Sequence, residues 1–205
     1  RKEAKKLGFP ILIKAIAGGG GRGIRLAQSE DMFNDLFESA KREALSSYEN
    51  KNLILEKFFP SSRHIEVQIF GDSYNNVVHL YERDCSVQRN YQKVIEETPA
   101  SSMPTDTIQR LHEAAVKIGK SIGYVGAGTV EFLVDQDHSS YFMEMNTRLQ
   151  VEHPITECIT GLDLVEWQFR IASGEKLPLN QGQIQRNGHS IEARLYAECP
   201  EKKFI

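Results

Sequence analysis

Apolar residues recur at helical spacing in several stretches of the chain. The clearest stretch follows Ser29, a suitable N-cap residue, and one helical face there carries Phe33, Leu36, Phe37, Ala40, Ala44 and Tyr48. A second amphipathic stretch covers residues 106–122. Further helices are predicted at residues 1–7, from Pro154 onward and at residues 163–173.

Short apolar runs bounded by turn residues predict the strands. They lie at residues 11–15, 24–27, 53–57, 64–70, 77–82, 129–134, 141–146 and 189–197. The strands come in antiparallel pairs with helices between them, so the pattern predicts an α+β fold and not a repeated βαβ unit. The polar segment 83–102 has no such pattern, and we predict that it is irregular.

Composition argues against several functional classes. The 205 residues include 25 Lys and Arg against 28 Asp and Glu, a net charge of −3, which argues against binding nucleic acid or an anionic membrane by bulk electrostatics. No apolar run approaches the roughly 18 residues of a membrane span. No signal-peptide pattern opens the chain. We therefore expect a protein that is neither secreted nor inserted in a membrane.

The cysteines and the chain ends add two expectations. Cys85, Cys158 and Cys199 have neither the spacing of metal ligands nor that of a disulfide framework, which favours a reducing compartment. The chain begins with Arg1 inside a predicted helix and ends at Ile205 without an obvious stop. We expect it to be part of a longer protein.

A glycine run lies between the first two predicted strands and consists of Gly18, Gly19, Gly20, Gly21 and Gly23. A strand follows it instead of a helix, and no Lys-Ser/Thr pair follows, so neither a dinucleotide fingerprint nor a P-loop is predicted. Such a loop lets backbone N–H groups cover phosphates, and Lys14 on the preceding strand would supply a cation. The alternative is a flexible surface loop.

Acidic residues face each other in the predicted hairpin that ends at Asn146. If Val134 pairs with Tyr141, Glu131 lies opposite Glu144, which is an unfavourable like-charge pair. Side-chain alternation places Asn146 on the same face. Two carboxylates and an amide oxygen suit Mg²⁺ or Mn²⁺, which would relieve the repulsion and bridge nucleotide phosphates. The alternative is a solvent-exposed acidic face.

A dense polar run follows the hairpin. Arg148 continues the face of Glu144, and its guanidinium can hold a planar oxyanion. Glu152 is a carboxylate that can take a proton from a bound substrate. Arg194, on the last predicted strand, is a second candidate partner for an anion. The run predicts an anion site beside the metal candidates, whereas the histidines lack ligand spacing and are interpreted as structural.

Several motifs stand in a characteristic order along the chain. They are Lys14 with the glycine run, Glu-Arg-Asp-Cys-Ser-Val-Gln-Arg at 82–89, Gln-Lys at 92–93, Glu-Glu at 96–97, Gly-Thr-Val-Glu-Phe at 128–132 and Glu-Met-Asn-Thr-Arg-Leu-Gln-Val-Glu-His-Pro at 144–154. In this order they resemble biotin carboxylases, the ATP-grasp component of acyl-CoA carboxylases (acetyl-, propionyl- and methylcrotonyl-CoA) and of pyruvate carboxylase. The resemblance covers essentially the whole chain. Carbamoyl-phosphate synthetases share the glycine loop and the acidic hairpin but differ after the asparagine.

The resemblance implies an ATP-grasp fold with a lid subdomain at residues 1–62 and part of the antiparallel-sheet core subdomain at residues 63–205. It implies ATP contacts from Lys14, Gly18, Gly19, Gly20, Gly21, Gly23, Glu56, Lys57, His64, Gln88, Leu133 and Met143, which revises the structural interpretation of His64. It implies bicarbonate contacts from Lys93, Arg148, Gln150, Val151 and Glu152. It implies that Mg²⁺ or Mn²⁺ is held by Glu131, Glu144 and Asn146. Catalytic roles would fall to Lys93, Arg148, Glu152 as the base, and Arg194 at the biotin enolate.

The reaction implied by the resemblance has two steps. Bicarbonate attacks the γ-phosphate of ATP to give ADP and carboxyphosphate, and the CO₂ released from carboxyphosphate then carboxylates N1′ of biotin. The implied partners are a biotin carboxyl carrier domain and a carboxyltransferase component, and family members are often homodimers. Either the bacterial cytoplasm or the mitochondrial matrix fits. Since further domains of such enzymes are missing from these residues, we expect the isolated chain to be poorly active.

Two alternative functions stay open on the sequence. One is another ATP-grasp ligase with a different acid substrate, of the carboxylate–amine or thiol type. The other is a nucleotide-binding relative without catalysis, although the presence of Lys93, Arg148, Glu152 and Arg194 argues against it. Tyr91 stands where many biotin carboxylases have a histidine that contacts the nucleotide, which leaves the role of that position open.

Overall fold

The computed structural model describes residues 1–17, 23–199 and 201. They form two compact units, the first of residues 1–60 with 90–92 and the second of residues 61–89 with those from 93 onward. Gly18, Gly19, Gly20 and Gly21, which were predicted to contact phosphates, lie outside the described residues. In the described part of the chain, no helix combines the length and the apolar character needed to cross a membrane.

The first unit consists of a three-stranded antiparallel sheet and two helices. Its elements are α1 (Lys2–Leu7), β1 (Ile11–Ala15), β2 (Arg25–Ala27), α2 (Glu30–Tyr48) and β3 (Leu53–Lys57). Strand β1 is central, with β2 on one side and β3 on the other. Ile11 and Ile13 share a buried apolar cluster with Phe33 and Ala40 of α2. Because apolar spacing, short apolar runs and turn residues mark these elements locally, the sequence predicted their limits to within about one residue.

The second unit is built on a six-stranded sheet in the order β8-β7-β4-β5-β6-β9. Its elements are β4 (Arg63–Gly71), β5 (Val77–Arg89), β6 (Gln92–Thr98), α3 (Thr105–Ser121), β7 (Gly126–Val134), β8 (Ser140–Asn146), α4 (His153–Thr160), α5 (Leu164–Ala172) and β9 (Ser190–Ala193). Strand β4 pairs antiparallel with β5 and with β7. The last strand, β9 (Ser190–Ala193), is shorter than the strand predicted at residues 189–197.

The two faces of β4 meet different surroundings. One face packs in an apolar cluster with α3 through Ile65, Val67 and Ile69. On the other face Phe70 packs against Trp167 of α5, with ring centroids 5.5 Å apart. Glu66 and Gln68 alternate with the apolar residues and share the face of Phe70, yet both are completely buried. This second face therefore carries polar groups into the interior.

The prediction that segment 83–102 is irregular is wrong. Strands β5 and β6 occupy most of it, and only Asn90 and Tyr91 connect them, both with positive φ (51° and 63°), as in a two-residue hairpin turn. The segment lacks apolar alternation because some of its inward-facing side chains are charged. Arg83 and Glu96 are completely buried and paired with oppositely charged groups. Apolar periodicity cannot detect strands of this kind.

The β7–β8 hairpin has the predicted opposition of Glu131 and Glu144 but not the predicted register at the turn. Val134 lies opposite Ser140, one residue away from its predicted partner. The register shifts between Glu131 and the next residue because β8 contains one extra residue, Met143. The extra residue compensates for the one-residue error at the turn, so Glu131 and Glu144 lie opposite each other as predicted.

Gly71, at the end of β4, has no room for a side chain. A Cβ atom there would overlap the carbonyl oxygen of Tyr124, a backbone atom that cannot rotate away. We expect Gly71→Ala to lower the free energy of unfolding by about 1–3 kcal/mol, measured by chemical denaturation. Gly182→Ala is the control, because its Cβ would approach only Asn180 Oδ1, at 3.5 Å. Equal stability of the two variants would contradict the overlap.

Candidate active site

Lys93 of β6 lies at the centre of a buried cluster of carboxylates. Its Nζ atom is 2.5 Å from Glu66 Oε2, 2.8 Å from Glu131 Oε1 and 2.7 Å from Glu152 Oε1. Glu66 lies on β4, Glu131 on the neighbouring β7, and Glu152 immediately before α4. The three carboxylate side chains are at most 3% exposed. Lys93 therefore links its own strand, β6, to β4, β7 and the start of α4.

The charges in this cluster stabilise one another. Burial disfavours the ionised form of Glu131, but His64, whose Nε2 is 3.0 Å from Glu131 Oε2, and Lys93 outweigh burial and lower the pKa of Glu131 to about 2. Arg83 and Lys93 likewise outweigh burial at Glu66 and lower its pKa. The carboxylates raise the pKa of Lys93 in spite of its own burial. Lys93, Glu66 and Glu131 are therefore ionised at neutral pH.

Arg194 joins Glu152 to a further buried carboxylate. It donates from Nη2 to Glu152 Oε2 at 2.9 Å and from Nε to Glu96 Oε1 at 2.6 Å. Its backbone N–H bonds to the carbonyl of Val94 at 2.9 Å, which holds it beside β6 although it follows the last residue of β9. Glu152 thus contacts Lys93 with one carboxylate oxygen and Arg194 with the other.

Oxygen ligands of the acidic hairpin lie next to this cluster. Glu144 is opposite Glu131, and Asn146 donates from Nδ2 to Glu131 Oε1 at 2.8 Å. Glu144 is exposed to solvent, whereas Glu131 is buried. A half-turn of the Asn146 amide would present its oxygen. Two carboxylates and an amide oxygen fit a hard cation such as Mg²⁺ or Mn²⁺.

The predicted bicarbonate ligands differ in their surroundings. Gln150 is buried and donates from Nε2 to Glu131 Oε1 at 3.0 Å, so it belongs to the same network as Lys93. Arg148 is exposed, and its Nη1 bonds to the carbonyl of Leu149 at 3.2 Å. Among the contacts that the structure describes, Gln150 is joined to the carboxylate cluster and Arg148 is not.

The predicted nucleotide contacts of the first unit lie on β1, β3 and the end of the loop. Lys14 forms an ion pair with Glu56 on the adjacent strand. The ammonium of Lys57 is 5.8 Å from the ring centre of Phe59. Gly23 has a φ of 72°, a conformation that favours glycine. The structure thus brings Lys14 and Glu56 together.

The predicted nucleotide contacts of the second unit lie on β4, β5 and the β7–β8 hairpin. Gln88 Nε2 is 2.8 Å from His64 Nδ1. His64 lies opposite Leu133 across the β4–β7 pair. Met143, the bulge residue of β8, is half-buried. His64 therefore joins these nucleotide candidates to the carboxylate cluster through Glu131.

No role was predicted from the sequence for three charged residues of the buried network, namely Glu66, Arg83 and Glu96, although two of them lie in the motifs at 82–89 and 96–97. Arg83 and Glu96 lie in the segment that was interpreted as irregular. Glu66 had a detectable signal, because it is a charged residue between apolar Ile65 and Val67 in a predicted strand. A charge on the inner face of a buried strand indicates a partner elsewhere in the fold.

Comparisons with known proteins show which proteins this chain is similar to. The family model of the carbamoyl-phosphate synthase L chain, ATP binding domain, matches residues 1–180. Methylcrotonoyl-CoA carboxylase subunit alpha, mitochondrial, of Rattus norvegicus is 57% identical over 205 residues, which are 100% of this chain and 29% of that protein. A biotin carboxylase of Nostoc sp. is 52% identical over 201 residues, 98% of this chain and 45% of that protein. The chain thus spans less than half the length of these relatives.

Solved structures show the same similarity. The biotin carboxylase domain dimer of a Hydrogenobacter thermophilus 2-oxoglutarate carboxylase, in complex with MgADP, ADP and bicarbonate, matches with a TM-score of 0.94 at 49% identity, over 99% of this chain and 45% of that one. A Campylobacter jejuni biotin carboxylase matches with a TM-score of 0.92 at 50% identity, over 95% and 44%. The predicted ATP-grasp α+β fold and the resemblance to biotin carboxylases are thereby confirmed. The chain belongs to the family of the carbamoyl-phosphate synthase L chain, ATP binding domain.

Proposed function

We propose that this chain contributes to the ATP-dependent carboxylation of biotin by bicarbonate. The observation that carries the proposal is Glu152 held between Lys93 and Arg194. A carboxylate in this position can take a proton from an anionic acid while two fixed cations attract that acid. The MgADP and bicarbonate of the Hydrogenobacter structure, a relative of similar sequence, support the choice of substrates.

In the proposed first step, bicarbonate attacks the γ-phosphate of ATP. Both reactants are anions, so cations must reduce their repulsion, and Lys93 and Arg148 would do this. Gln150 and the backbone N–H of Val151 would orient the bicarbonate. Glu152 would take its proton, which makes bicarbonate a stronger nucleophile, and ADP and carboxyphosphate would result.

In the proposed second step, carboxyphosphate breaks down to CO₂ and phosphate, and N1′ of biotin is carboxylated. The phosphate released in this breakdown would take the N1′ proton, which leaves negative charge on the ureido oxygen of biotin. The guanidinium of Arg194 would bind that oxygen and stabilise the charge. Because Glu96 and Glu152 already hold Arg194, its position is set before biotin arrives.

We further propose the division of the chain into a lid at residues 1–62 and a core at residues 63–205. The residues that would bind ATP are Lys14, Gly18, Gly19, Gly20, Gly21, Gly23, Glu56, Lys57, His64, Gln88, Leu133 and Met143. The ion pair of Lys14 with Glu56 and the hydrogen bond of His64 with Gln88 support two parts of this set. A closed glycine loop would exclude water from carboxyphosphate.

The proposed partners follow from the relatives. The rat protein is named as a carboxylase subunit and the Hydrogenobacter structure as a dimer. We propose that biotin is presented by a carboxyl carrier domain, that a carboxyltransferase component uses the product, and that the full-length protein is a homodimer. Because the relatives include mitochondrial and bacterial proteins, the compartment would be the mitochondrial matrix or the bacterial cytoplasm.

ADP release by the full-length protein tests the proposed function. We expect turnover to require bicarbonate and to rise when free biotin is added. Turnover that depends on another acid in place of bicarbonate would indicate a different ATP-grasp ligase. ATP binding without turnover would indicate a non-catalytic relative. Either result would overturn the proposal.

Metal dependence tests the acidic hairpin. Glu131, Glu144 and Asn146 would hold Mg²⁺ or Mn²⁺, which when bound offsets phosphate charge. We expect Glu144→Gln to raise the Mg²⁺ concentration needed for half-maximal turnover at least about tenfold, because a neutral amide is a weaker ligand. Glu113→Gln, at an exposed residue of α3, is the control and should change nothing. An unchanged Mg²⁺ requirement in Glu144→Gln would remove Glu144 from the site.

A further inference from the structure

Arg83 of β5 is the largest of the completely buried side chains in the described part of the chain, and no step of the proposed reaction uses it. A guanidinium without access to water is strongly destabilising unless its donors are paired. Its charge also affects every ionised group nearby, because burial weakens screening by solvent. A buried arginine next to an active site therefore requires an explanation.

The donors of Arg83 reach three parts of the second unit. Their acceptors are Glu66 Oε1 at 2.6 Å, Gln68 Oε1 at 2.8 Å, Thr156 Oγ1 at 2.9 Å, Gln150 Oε1 at 3.3 Å and Thr129 Oγ1 at 3.4 Å. These residues belong to β4, to β7, and to α4 with the run before it. Arg83 thereby ties the polar run before α4 to the centre of the sheet.

Two of these contacts determine how candidate bicarbonate ligands are presented. Gln150 accepts from Arg83 with Oε1, so its amide nitrogen must point the other way, where it donates to Glu131 at 3.0 Å. Glu66 accepts from Arg83 with Oε1, which leaves Oε2 for Lys93. The orientation of the amide and the position of the ammonium therefore both depend on one guanidinium.

Arg83 also sets the charge of the cluster. Glu66, Glu131 and Glu152 surround Lys93, and Arg194 also contacts Glu152, so Lys93 and Arg194 would face three carboxylates if Arg83 were neutral. The excess negative charge would repel an anionic substrate, and the carboxylates would retain Lys93 more strongly.

We propose that Arg83 is a positioning residue for the binding of bicarbonate. Arg83 acts through Gln150 and Glu66, whose side chains it orients. The proposal rests on the proposed function, since it names the residue that prepares the bicarbonate site. The proposal predicts different effects of Arg83 on the two substrates of the reaction, bicarbonate and ATP. Arg83 controls the binding of bicarbonate, and the predicted ATP contacts do not include it or either residue through which it acts.

The test compares Arg83→Met and Arg83→Lys with the wild type in the full-length protein, by ADP release at varied bicarbonate and varied ATP. In Arg83→Met we expect the KM for bicarbonate to rise at least about tenfold and the KM for ATP to change less than about twofold. Arg83→Lys keeps the charge but loses most of the donors, so we expect a smaller rise in the KM for bicarbonate.

Arg186→Met is the control, at an arginine that pairs with a buried carboxylate but is itself exposed. Arg186 Nη1 lies 3.3 Å from Oε1 of Glu82, a buried residue of β5. The carboxylate of Glu82 has no described contact with the cluster of Lys93. We expect this variant to lose thermal stability with an unchanged KM for bicarbonate.

The outcomes separate the two proposals. A fall in kcat without a change in the KM for bicarbonate would make Arg83 merely structural and overturn the inference. If Arg83→Met does not fold, Arg83→Lys decides in the same way. A wild type without bicarbonate-dependent turnover would instead overturn the proposed function.

Discussion

Glu152→Gln is expected to lower bicarbonate-dependent ATP turnover by about two to four orders of magnitude, the usual contribution of a positioned base. Glutamine keeps the shape of the side chain but cannot accept the proton of bicarbonate. Both oxygens of Glu152 are already oriented by Lys93 and Arg194, so the loss falls mainly on the chemical step. The measurement is kcat for ADP release by the full-length protein, with the KM for ATP determined in parallel.

A control must separate the loss of a base from the loss of a buried charge. Glu82→Gln provides it, because Glu82 is 1% exposed and bonds to His112 at 2.7 Å, with no described contact to Lys93 or Arg194. We expect Glu82→Gln to reduce stability while most of kcat is kept. If Glu152→Gln retained a comparable kcat, the base would have to be another residue.

The sequence predicted the parts of the fold that local apolar periodicity encodes. In the first unit α2 followed from helical apolar spacing, and the strands followed from short apolar runs such as that of β1 with its buried Ile11 and Ile13. The opposition of Glu131 and Glu144 was also predicted, although the bulge at Met143 was not. A bulge depends on the pairing of two strands in space, and neither strand alone encodes it.

The buried polar strands could not be predicted from local pattern. Arg83 satisfies its donors with residues far along the chain, such as Glu66 and Gln150, and these partners lie together only after the sheet has formed. Before then, the stretch from Arg83 onward has the polarity of a surface loop. The stabilisation of a buried ion network comes from geometry and not from composition.

For the candidate site too, the sequence predicted some features and could not predict others. Glu152 and Arg194 were candidates because of their charge and position, whereas Lys93 was named because its motif resembles biotin carboxylases. The structure places Glu152 in contact with both Lys93 and Arg194. Their catalytic roles stay predictions, as does that of Arg148, which is exposed and outside the described ion network. Neither spacing nor polarity could have shown that the two carboxylate oxygens of Glu152 contact Lys93 of β6 and Arg194, which follows β9.

Lys93→Met is expected to abolish measurable turnover and to lower the free energy of unfolding by about 3–5 kcal/mol at neutral pH, the range for removing one partner of a buried pair. The substitution keeps the length of the side chain and removes its charge. Glu66, Glu131 and Glu152 would then be buried close together without their common cation. Turnover would fall because the same ammonium is the proposed contact for bicarbonate.

The pH dependence of stability gives this prediction a specific signature. In the wild type the pKa of Glu131 is lowered to about 2, so its contribution to stability is present above the ordinary value near 4.5 and is lost as the pH falls toward 2. Without Lys93, Glu66 and Glu131 would bind protons at higher pH, so acidification from pH 7 to 5 should cost the variant less stability than the wild type, or restore some. Chemical denaturation across this range measures the difference, with Lys117→Met, at an exposed position on α3, as the control. Parallel stability curves for Lys93→Met and the wild type would show that the carboxylates do not depend on Lys93.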